Sequence, residues 1–164
     1  MAFGDYFTRK PEFDIFPLEV DDLQAAAALH RARFSRAWND GEFHSLLAQE
    51  PVYGFAAWQT NATVRTAAGF VLARAVAGES EILSIGIDQR FEGLGLGWRL
   101  MQAAIREARM RDAEAMFLEV DENNARARRL YEKLGFVKVG ERKAYYADAR
   151  GVRSAALVMR RDLR

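Results

Sequence analysis

Residues 81–110 read EILSIGIDQRFEGLGLGWRLMQAAIREARM, and this stretch decides the fold. Its first part, 81–88, carries the β-branched and apolar residues of a strand. Its last part, 96–110, sets Leu100, Met101, Ala104, Ile105 and Ala108 on one helical face. Between them stand Gly93, Gly95 and Gly97. A glycine in regular structure costs roughly 0.5–1 kcal/mol of backbone entropy relative to alanine. Three at one junction imply that bare backbone is needed there. The next apolar run, AEAMFLEV at 113–120, reads as a strand. Strand, helix and strand then form one βαβ crossover, which makes the two strands parallel and the connection right-handed.

Working outward, FDIFPLEV at 13–20 reads as a first strand, and DDLQAAAALHRARF at 21–34 as a helix that opens on a capping aspartate. A shorter helix fits WNDGEFHSLLAQE at 38–50. Strands fit VYGFAAWQ at 52–59 and RTAAGFVLARAV at 65–76, around the turn-like TNAT. After the crossover, NNARARRLYEKLGF reads as a helix with asparagine at its start and Gly135 as its stop. VKVGERKAYY and RSAALVMRRDL finish as two strands around ADARG. The expected class is α/β: a mixed, mostly antiparallel sheet, one central parallel βαβ unit and about four helices, in a single domain spanning 1–164.

Composition narrows the function. Half of the 164 residues are hydrophobic, and 24 basic against 23 acidic residues leave a net charge of +1. No strong non-specific attraction to nucleic acid is expected. There is no cysteine, so disulfides, thiolate metal sites and a thiol nucleophile are excluded. His30 and His44 lack metal-ligand spacing, and no metal is expected. The start, MAFGDYFTRKPEF, lacks the apolar core of a signal peptide, and no run approaches the ~18 apolar residues of a membrane span. A cytoplasmic protein, a monomer or weak dimer without membrane partners, is expected.

A glycine turn between strand and helix suits an anion. The first amides of a helix have no internal acceptor, and phosphate fits there. A tight connection without ligand is the plainer alternative. Among phosphate ligands, a nucleotide P-loop requires Gly-Lys-Ser/Thr, and Gly97-Trp98-Arg99 does not supply it. A dinucleotide site requires G-x-G-x-x-G with an acid about 20 residues on. Glu119 and Asp121 lie near that distance, but the glycine spacing is G-x-G-x-G and only one βαβ unit is visible. The pyrophosphate of coenzyme A is the third candidate.

IDQRFEGLGLGWRLM, FLEVDENNARARRLYEKLGF and RKAYY together resemble the GNAT superfamily of acetyl-CoA-dependent N-acetyltransferases. Within it they look most like the RimI-type branch, which acetylates the N-terminal alanine of a ribosomal protein. The segment RFSRAWNDGEFHSLL resembles that family's substrate loop between its first two helices. The resemblance implies the GNAT fold and an acetyl-CoA cosubstrate. It also implies transfer to an amine, best matched by a protein N-terminus and here a ribosomal protein; with no cysteine, the transfer is expected to be direct. A small-molecule or lysine acetyltransferase and a non-catalytic acetyl-CoA-binding module are the alternatives.

The family's phosphate loop, Q/R-x-x-G-x-G/A, fits in two registers. Arg90 to Gly95 matches literally. Glu92 to Gly97 matches the spacing from Asp88, puts the helix start after Gly97, and replaces Gln or Arg with glutamate. The second register is preferred, with Arg90 or Arg99 expected to pair with Glu92. Implied cofactor contacts are Ile85, Gly86 and Ile87 of the strand, then Gly93, Leu94, Gly95, Leu96, Gly97 and Trp98 of the turn, and Asn124.

Aminolysis of a thioester requires a neutral amine and a leaving thiolate that is protonated or stabilised. A carboxylate accepts the amine proton and a tyrosine serves the sulfur. Glu119 stands in a strand expected to be covered on both faces, where an ionised carboxylate is costly unless paired or used. By residue type alone, Glu119 reads equally as a solvent-facing or sheet-edge acid, and Tyr131 alone is more often a core residue. The resemblance makes Glu119 the general base and Tyr131 the proton donor. It sets Tyr145 and Tyr146 on the substrate side, where two residues of an ordinary hairpin strand are the alternative. Arg126, Arg128 and Arg129 read as a solvated helix face, and which of them, if any, meets the 3′-phosphate of the cofactor is left open.

Overall fold

A computed structural model describes residues 9–34 and 38–164. The first eight residues of the quoted N-terminus and residues 35–37 of the substrate-loop match lie outside the described residues. The strands are β1 (Phe13–Pro17), β2 (Val52–Gln59), β3 (Thr66–Val76), β4 (Glu79–Ile87), β5 (Ala115–Asp121), β6 (Val137–Ala147) and β7 (Arg153–Asp162). The helices are α1 (Leu23–Arg33), α2 (Asp40–Leu47), α3 (Leu96–Met110) and α4 (Ala125–Lys133). One sheet orders the strands β1-β2-β3-β4-β5-β7-β6. Only the β4–β5 neighbours are parallel; the others are antiparallel. The expected architecture and element order hold.

Helices cover the sheet on both sides. The α3 face expected to be apolar is the one that is buried: Leu100, Met101, Ala104, Ile105 and Ala108 have no exposed surface. They pack with Met116, Leu118 and Val120 of β5. On the opposite side, Leu23, Ala27 and Leu29 of α1 and Phe43 of α2 pack with Ala56, Phe70 and Leu72. Full burial of a leucine or isoleucine stabilises by about 1.5–3 kcal/mol, so α3 is firmly fixed relative to the sheet.

Boundaries shift by a few residues in several elements, and two of the shifts have a clear cause. β1 stops at Pro17 and not at Val20, because proline has no N–H for the ladder and the chain turns into a 3₁₀ segment at Val20–Asp22. The aspartate before α1, Asp22, makes no side-chain cap to that helix. Its carboxylate instead accepts the Glu19 amide at 3.1 Å and faces Arg65 at 3.4 Å.

The feature that positions the site is a split in the sheet. β4 and β5 pair only at Glu79↔Ala115, Ser80↔Met116 and Glu81↔Phe117. Against β3, Leu72 pairs with Ser84 and Ala73 with Ile82, so Leu83 is an extra residue. Such a bulge bends its strand. Beyond it, Ile82–Ile87 and Leu118–Asp121 run on without pairing to each other. Strand edges carry open N–H and C=O groups, and here two such edges border one notch.

Candidate active site

The glycine turn stands at the open end of the notch. Gly93 and Gly95 have φ of 76° and 80°, a left-handed conformation that costs an L side chain roughly 1–2 kcal/mol. Gly95 is the N-cap of α3, which starts at Leu96. The expectation that the helix begins after Gly97 is therefore corrected. Gly97 lies in the first helical turn, and its role is packing: a Cβ there would stand 3.1 Å from Leu130 of α4. None of the amides of residues 93–98 has an acceptor among the described residues. A run of unpaired amides at a helix N-terminus is the main-chain geometry that receives phosphate.

The other implied cofactor residues divide between backbone and side chain. Leu94 and Trp98 are exposed, while the Leu96 side chain is buried and offers only its amide. Ile85 and Ile87 pack half-buried against the α3 core. Gly86 is held bare by Phe70, whose ring would lie 2.9 Å from an added Cβ. Asn124 caps α4, its Oδ1 accepting the Ala127 amide at 3.2 Å.

Glu92 does not pair with Arg90 or Arg99, which corrects that expectation. Arg90 is bound to Asp88 through two side-chain bonds of 3.1 and 2.8 Å, and this hydrogen bonding holds the Asp88 carboxyl below its ordinary value. Arg99 donates to the Phe13 carbonyl at 3.0 Å. Glu92 instead meets Arg33 of α1 at 2.6 Å and Arg126 of α4 at 3.1 Å. Of the other two α4 arginines, Arg128 donates to the Glu122 carbonyl at 3.0 Å and Arg129 is exposed.

At the inner part of the notch, Glu119 points to the sheet face away from α3. It lines an open groove of about 450 Å³ with Glu81, Phe117 and Val158. Its carboxylate is half-buried and meets Arg142 of β6 at 3.0 Å. An exposed or half-exposed pair contributes only about 0.2–1 kcal/mol, too little to explain a carboxylate in a central strand by stability alone. Tyr146 lies close enough for Glu119 and Asp121 to disfavour its ionisation, after burial, which is the largest cause of its raised pKa. The pairs Glu119↔Val158 and Asp121↔Ala156 on β7, with Tyr146↔Ser154 and Arg142↔Ala156 beyond, bring these groups to one face.

Tyr131 is 5% exposed. Its position is set by the end of α4. The Gly135 and Phe136 amides return to the Glu132 and Tyr131 carbonyls at 3.0 Å each, a Schellman stop with Gly135 at φ 86°. The Phe136 ring meets Tyr131 edge-on at 6.1 Å. Burial pushes the Tyr131 hydroxyl up to about 12, with Tyr146 adding to the shift. Tyr131 thus stays protonated across the neutral range. Tyr145 turns outward and is 53% exposed, with its ring against Tyr146 at 5.1 Å and Arg142 over it at 5.5 Å. Ala144, at φ 53°, breaks the β6 register between Arg142 and Tyr146.

The structure thus brings Glu119, Tyr131 and Tyr146 toward one region and sets the glycine cradle at the mouth of the same notch. Two charged partners were absent from the sequence reading, Arg142 and Arg33. No spacing could have revealed them, because both act across the fold. Among the described residues no cluster of His, Cys, Asp and Glu is arranged to hold a metal, and no helix is long and apolar enough to cross a membrane.

With this geometry in place, comparison with known proteins identifies the class. The chain belongs to the acetyltransferase (GNAT) family, whose model matches residues 23–136. It is 30% identical to the ribosomal protein bS18-alanine N-acetyltransferase of Escherichia coli over 145 residues, covering 88% of this chain and 94% of that protein. The crystal structure of the E. coli enzyme superposes with a TM-score of 0.83, covering 93% of this chain and 94% of that one. The Haemophilus influenzae enzyme of the same name is 37% identical over 91 residues, 56% of this chain and 62% of that protein. In fold alone, the chain also matches Arabidopsis thaliana NAA60 in complex with acetyl-CoA, at 17% identity and a TM-score of 0.82, covering 92% and 98% of the two chains.

Proposed function

We propose that this protein is an acetyl-CoA-dependent N-acetyltransferase that acts on the N-terminal α-amine of a protein, with a ribosomal protein beginning in alanine as its acceptor. One observation carries the reading. The amides of 93–98 are without acceptors among the described residues, beside the end of β4, β4 and β5 part beyond Glu81 and Phe117, and Glu119 stands on β5 just past that parting, with Tyr146 close enough to feel its charge. The amides of 93–98 suit the pyrophosphate, and the open edges of β4 and β5 suit the amide groups of an extended pantetheine arm. Asn124 caps α4, the helix whose Arg126 reaches beside Gly93. When bound, acetyl-CoA supplies an acetyl group activated as a thioester.

The chain's own residues then divide the proton work. Glu119 accepts a proton from the incoming amine, directly or through one water. A free α-amine has a pKa of about 7.7–8.0, so the proton is removed cheaply near neutral pH. A lysine, at about 10.4, would ask more of the same carboxylate. Tyr131 presents its hydroxyl to the departing sulfur. With its pKa near 12 against about 8.5 for an ordinary thiol, proton transfer to a thiolate runs uphill. Tyr131 therefore acts chiefly as a hydrogen-bond donor to developing negative charge. Tyr145 and Tyr146 line the acceptor side, where Arg142 holds the Glu119 carboxylate. The absence of cysteine from the sequence agrees with direct transfer, since no thiol can form an acyl-enzyme, and with a reducing, cytoplasmic setting.

The test is a peptide-library assay with acetyl-CoA read by mass spectrometry. The expected product is acetylated on the α-amine, with alanine-initiated peptides preferred. Transfer only to lysine side chains or to small amines would replace the protein N-terminus as acceptor.

A further inference from the structure

In the register set by the spacing from Asp88, Glu92 stands where the family's phosphate loop has Gln or Arg, and its two oxygens are both taken. Oε1 meets Nη2 of Arg33, the last residue of α1, at 2.6 Å. Oε2 accepts from Nη1 of Arg126, in the first turn of α4, at 3.1 Å. The three residues come from three separate elements and carry a net charge of +1 among them. Their side chains are 28%, 35% and 60% exposed for Glu92, Arg33 and Arg126, so each pair alone contributes about 0.2–1 kcal/mol. Stability is a weak reason for this arrangement.

Its location gives a better one. Nη2 of Arg126 lies 3.5 Å from where a Cβ on Gly93 would stand, directly beside the amides of the cradle. A diphosphate entering there meets Arg126 and competes with Glu92 for its N–H donors. The Glu92 carboxylate, relieved of one partner, then turns its full charge on Arg33. Arg33 ends the helix that carries an aromatic stack. The Phe34 amide donates to the His30 carbonyl at 2.9 Å, and the Trp38 amide donates to His30 Nδ1 at 3.0 Å. The His30 ring stacks between Phe34 and Trp38 at 4.3 and 4.7 Å. Whatever fixes Arg33 fixes the base of that stack.

We infer that Glu92 is a positioning residue that couples filling of the phosphate cradle to the C-terminal turn of α1, through Arg126 on one side and Arg33 on the other. The inference rests on the reading of the 93–98 turn as a coenzyme A cradle. Coupling of this kind is reciprocal, so a tighter α1 terminus also tightens the cofactor.

Coenzyme A alone is the probe, with no acceptor present. Calorimetry gives its affinity, and NMR-detected amide exchange of Phe34 and Trp38 gives the response of the α1 terminus. In the wild type, saturating coenzyme A should slow both amides by roughly fivefold or more, the lower end of ordinary coupling. In Glu92→Gln coenzyme A still binds through the amides, and the slowing is lost; Arg33→Gln should behave the same way and stands in if the first variant does not fold. A response of wild-type size in a folded Glu92→Gln or Arg33→Gln would overturn the coupling. So would binding to the wild type without any change at Phe34 and Trp38. Failure of the wild type to bind coenzyme A at all would sink the cradle reading itself, together with the coupling.

Discussion

The cradle and the acceptor side are made of different material. At residues 93–98 the candidate ligands are main-chain amides, kept bare by Gly93 and Gly95 at positive φ. Around Glu119 the candidate groups are side chains: Glu119 of β5 and Tyr146 of β6, brought to one face by sheet register, and Tyr131 of α4. A main-chain site depends on backbone conformation and tolerates changes in neighbouring side chains, such as glutamate in place of Gln or Arg at position 92. A side-chain site depends on individual functional groups. Damage to the first should appear in cofactor affinity, and damage to the second in turnover.

The largest effect expected is on the side-chain half. Glu119→Gln keeps the shape and removes the proton acceptor, so kcat should fall by at least ~10² at neutral pH. Raising the pH should restore part of it, because more of the amine is neutral before binding. Coenzyme A affinity should not change. Steady-state kinetics from pH 6 to 10 check this, and near-wild-type turnover throughout would remove Glu119 from the chemistry.

The glycines provide the matching break in the main-chain half. Gly95→Val meets no neighbour within 4 Å but is forced to φ 80°, a strain of roughly 1–2 kcal/mol on folding. If the turn shifts to relieve it, charge-assisted amide bonds worth about 1.5–3 kcal/mol each are lost. Coenzyme A affinity measured by calorimetry should then fall by tenfold or more while the protein stays folded. Gly97→Val should show the reverse, losing Tm because of the Leu130 contact at 3.1 Å. Unchanged affinity in folded Gly95→Val would reduce the turn to a connection.

Tyr131→Phe tests what the hydroxyl contributes. Phenylalanine preserves the packing against Phe136 and deletes only the hydroxyl. A hydrogen bond to a charged group contributes about 1.5–3 kcal/mol, so kcat should drop by roughly 10- to 150-fold. No rescue at high pH is expected, and wild-type activity should show no loss from Tyr131 ionisation up to pH 10, since its pKa is about 12. A pH-dependent rescue like that of Glu119→Gln would merge the two roles.

These contrasts also explain what the sequence could show. The α3 face was readable because Leu100, Met101, Ala104, Ile105 and Ala108 repeat with helical period, and all five are fully buried. The glycine cluster was readable as a place where backbone matters, but not the division of labour within it. Gly93 and Gly95 serve a turn, whereas Gly97 serves a contact with Leu130 that exists only after α4 has docked. Glu119 and Tyr131 could be named as candidates from the resemblance. The Arg142 pairing with Glu119 depends on β7 lying between β5 and β6, an order that chain sequence does not state. Glu92 finds Arg126 at 34 residues' separation and Arg33 across the sheet, beyond any local pattern. Local periodicity and turn chemistry report backbone structure well; partners of single charges are a property of topology.

The smallest effect concerns pH and belongs to the α1 side. Burial holds His30 below its usual value, with Glu42 opposing. Its Nδ1 accepts the Trp38 amide at 3.0 Å, which only the neutral ring can do. Below about pH 6.5 the unfolded chain therefore binds a proton that the folded chain resists, and stability falls as pH drops through this range. In His30→Phe the Trp38 amide loses its acceptor, for about 1–3 kcal/mol at pH 7, and the part of the slope between pH 7 and 5 due to His30 vanishes. Tm profiles of the two proteins should converge toward acid pH; parallel profiles would assign the slope elsewhere.

If the turn at 93–98 and the notch between β4 and β5 hold acetyl-CoA, binding must stabilise the fold. A thermal-shift titration of the wild-type protein with acetyl-CoA and, separately, NADH tests it most directly. A ligand at 100 times its Kd stabilises the fold by about 2.7 kcal/mol. Tm should rise clearly with acetyl-CoA and not with NADH. A rise with NADH and none with acetyl-CoA would contradict that assignment.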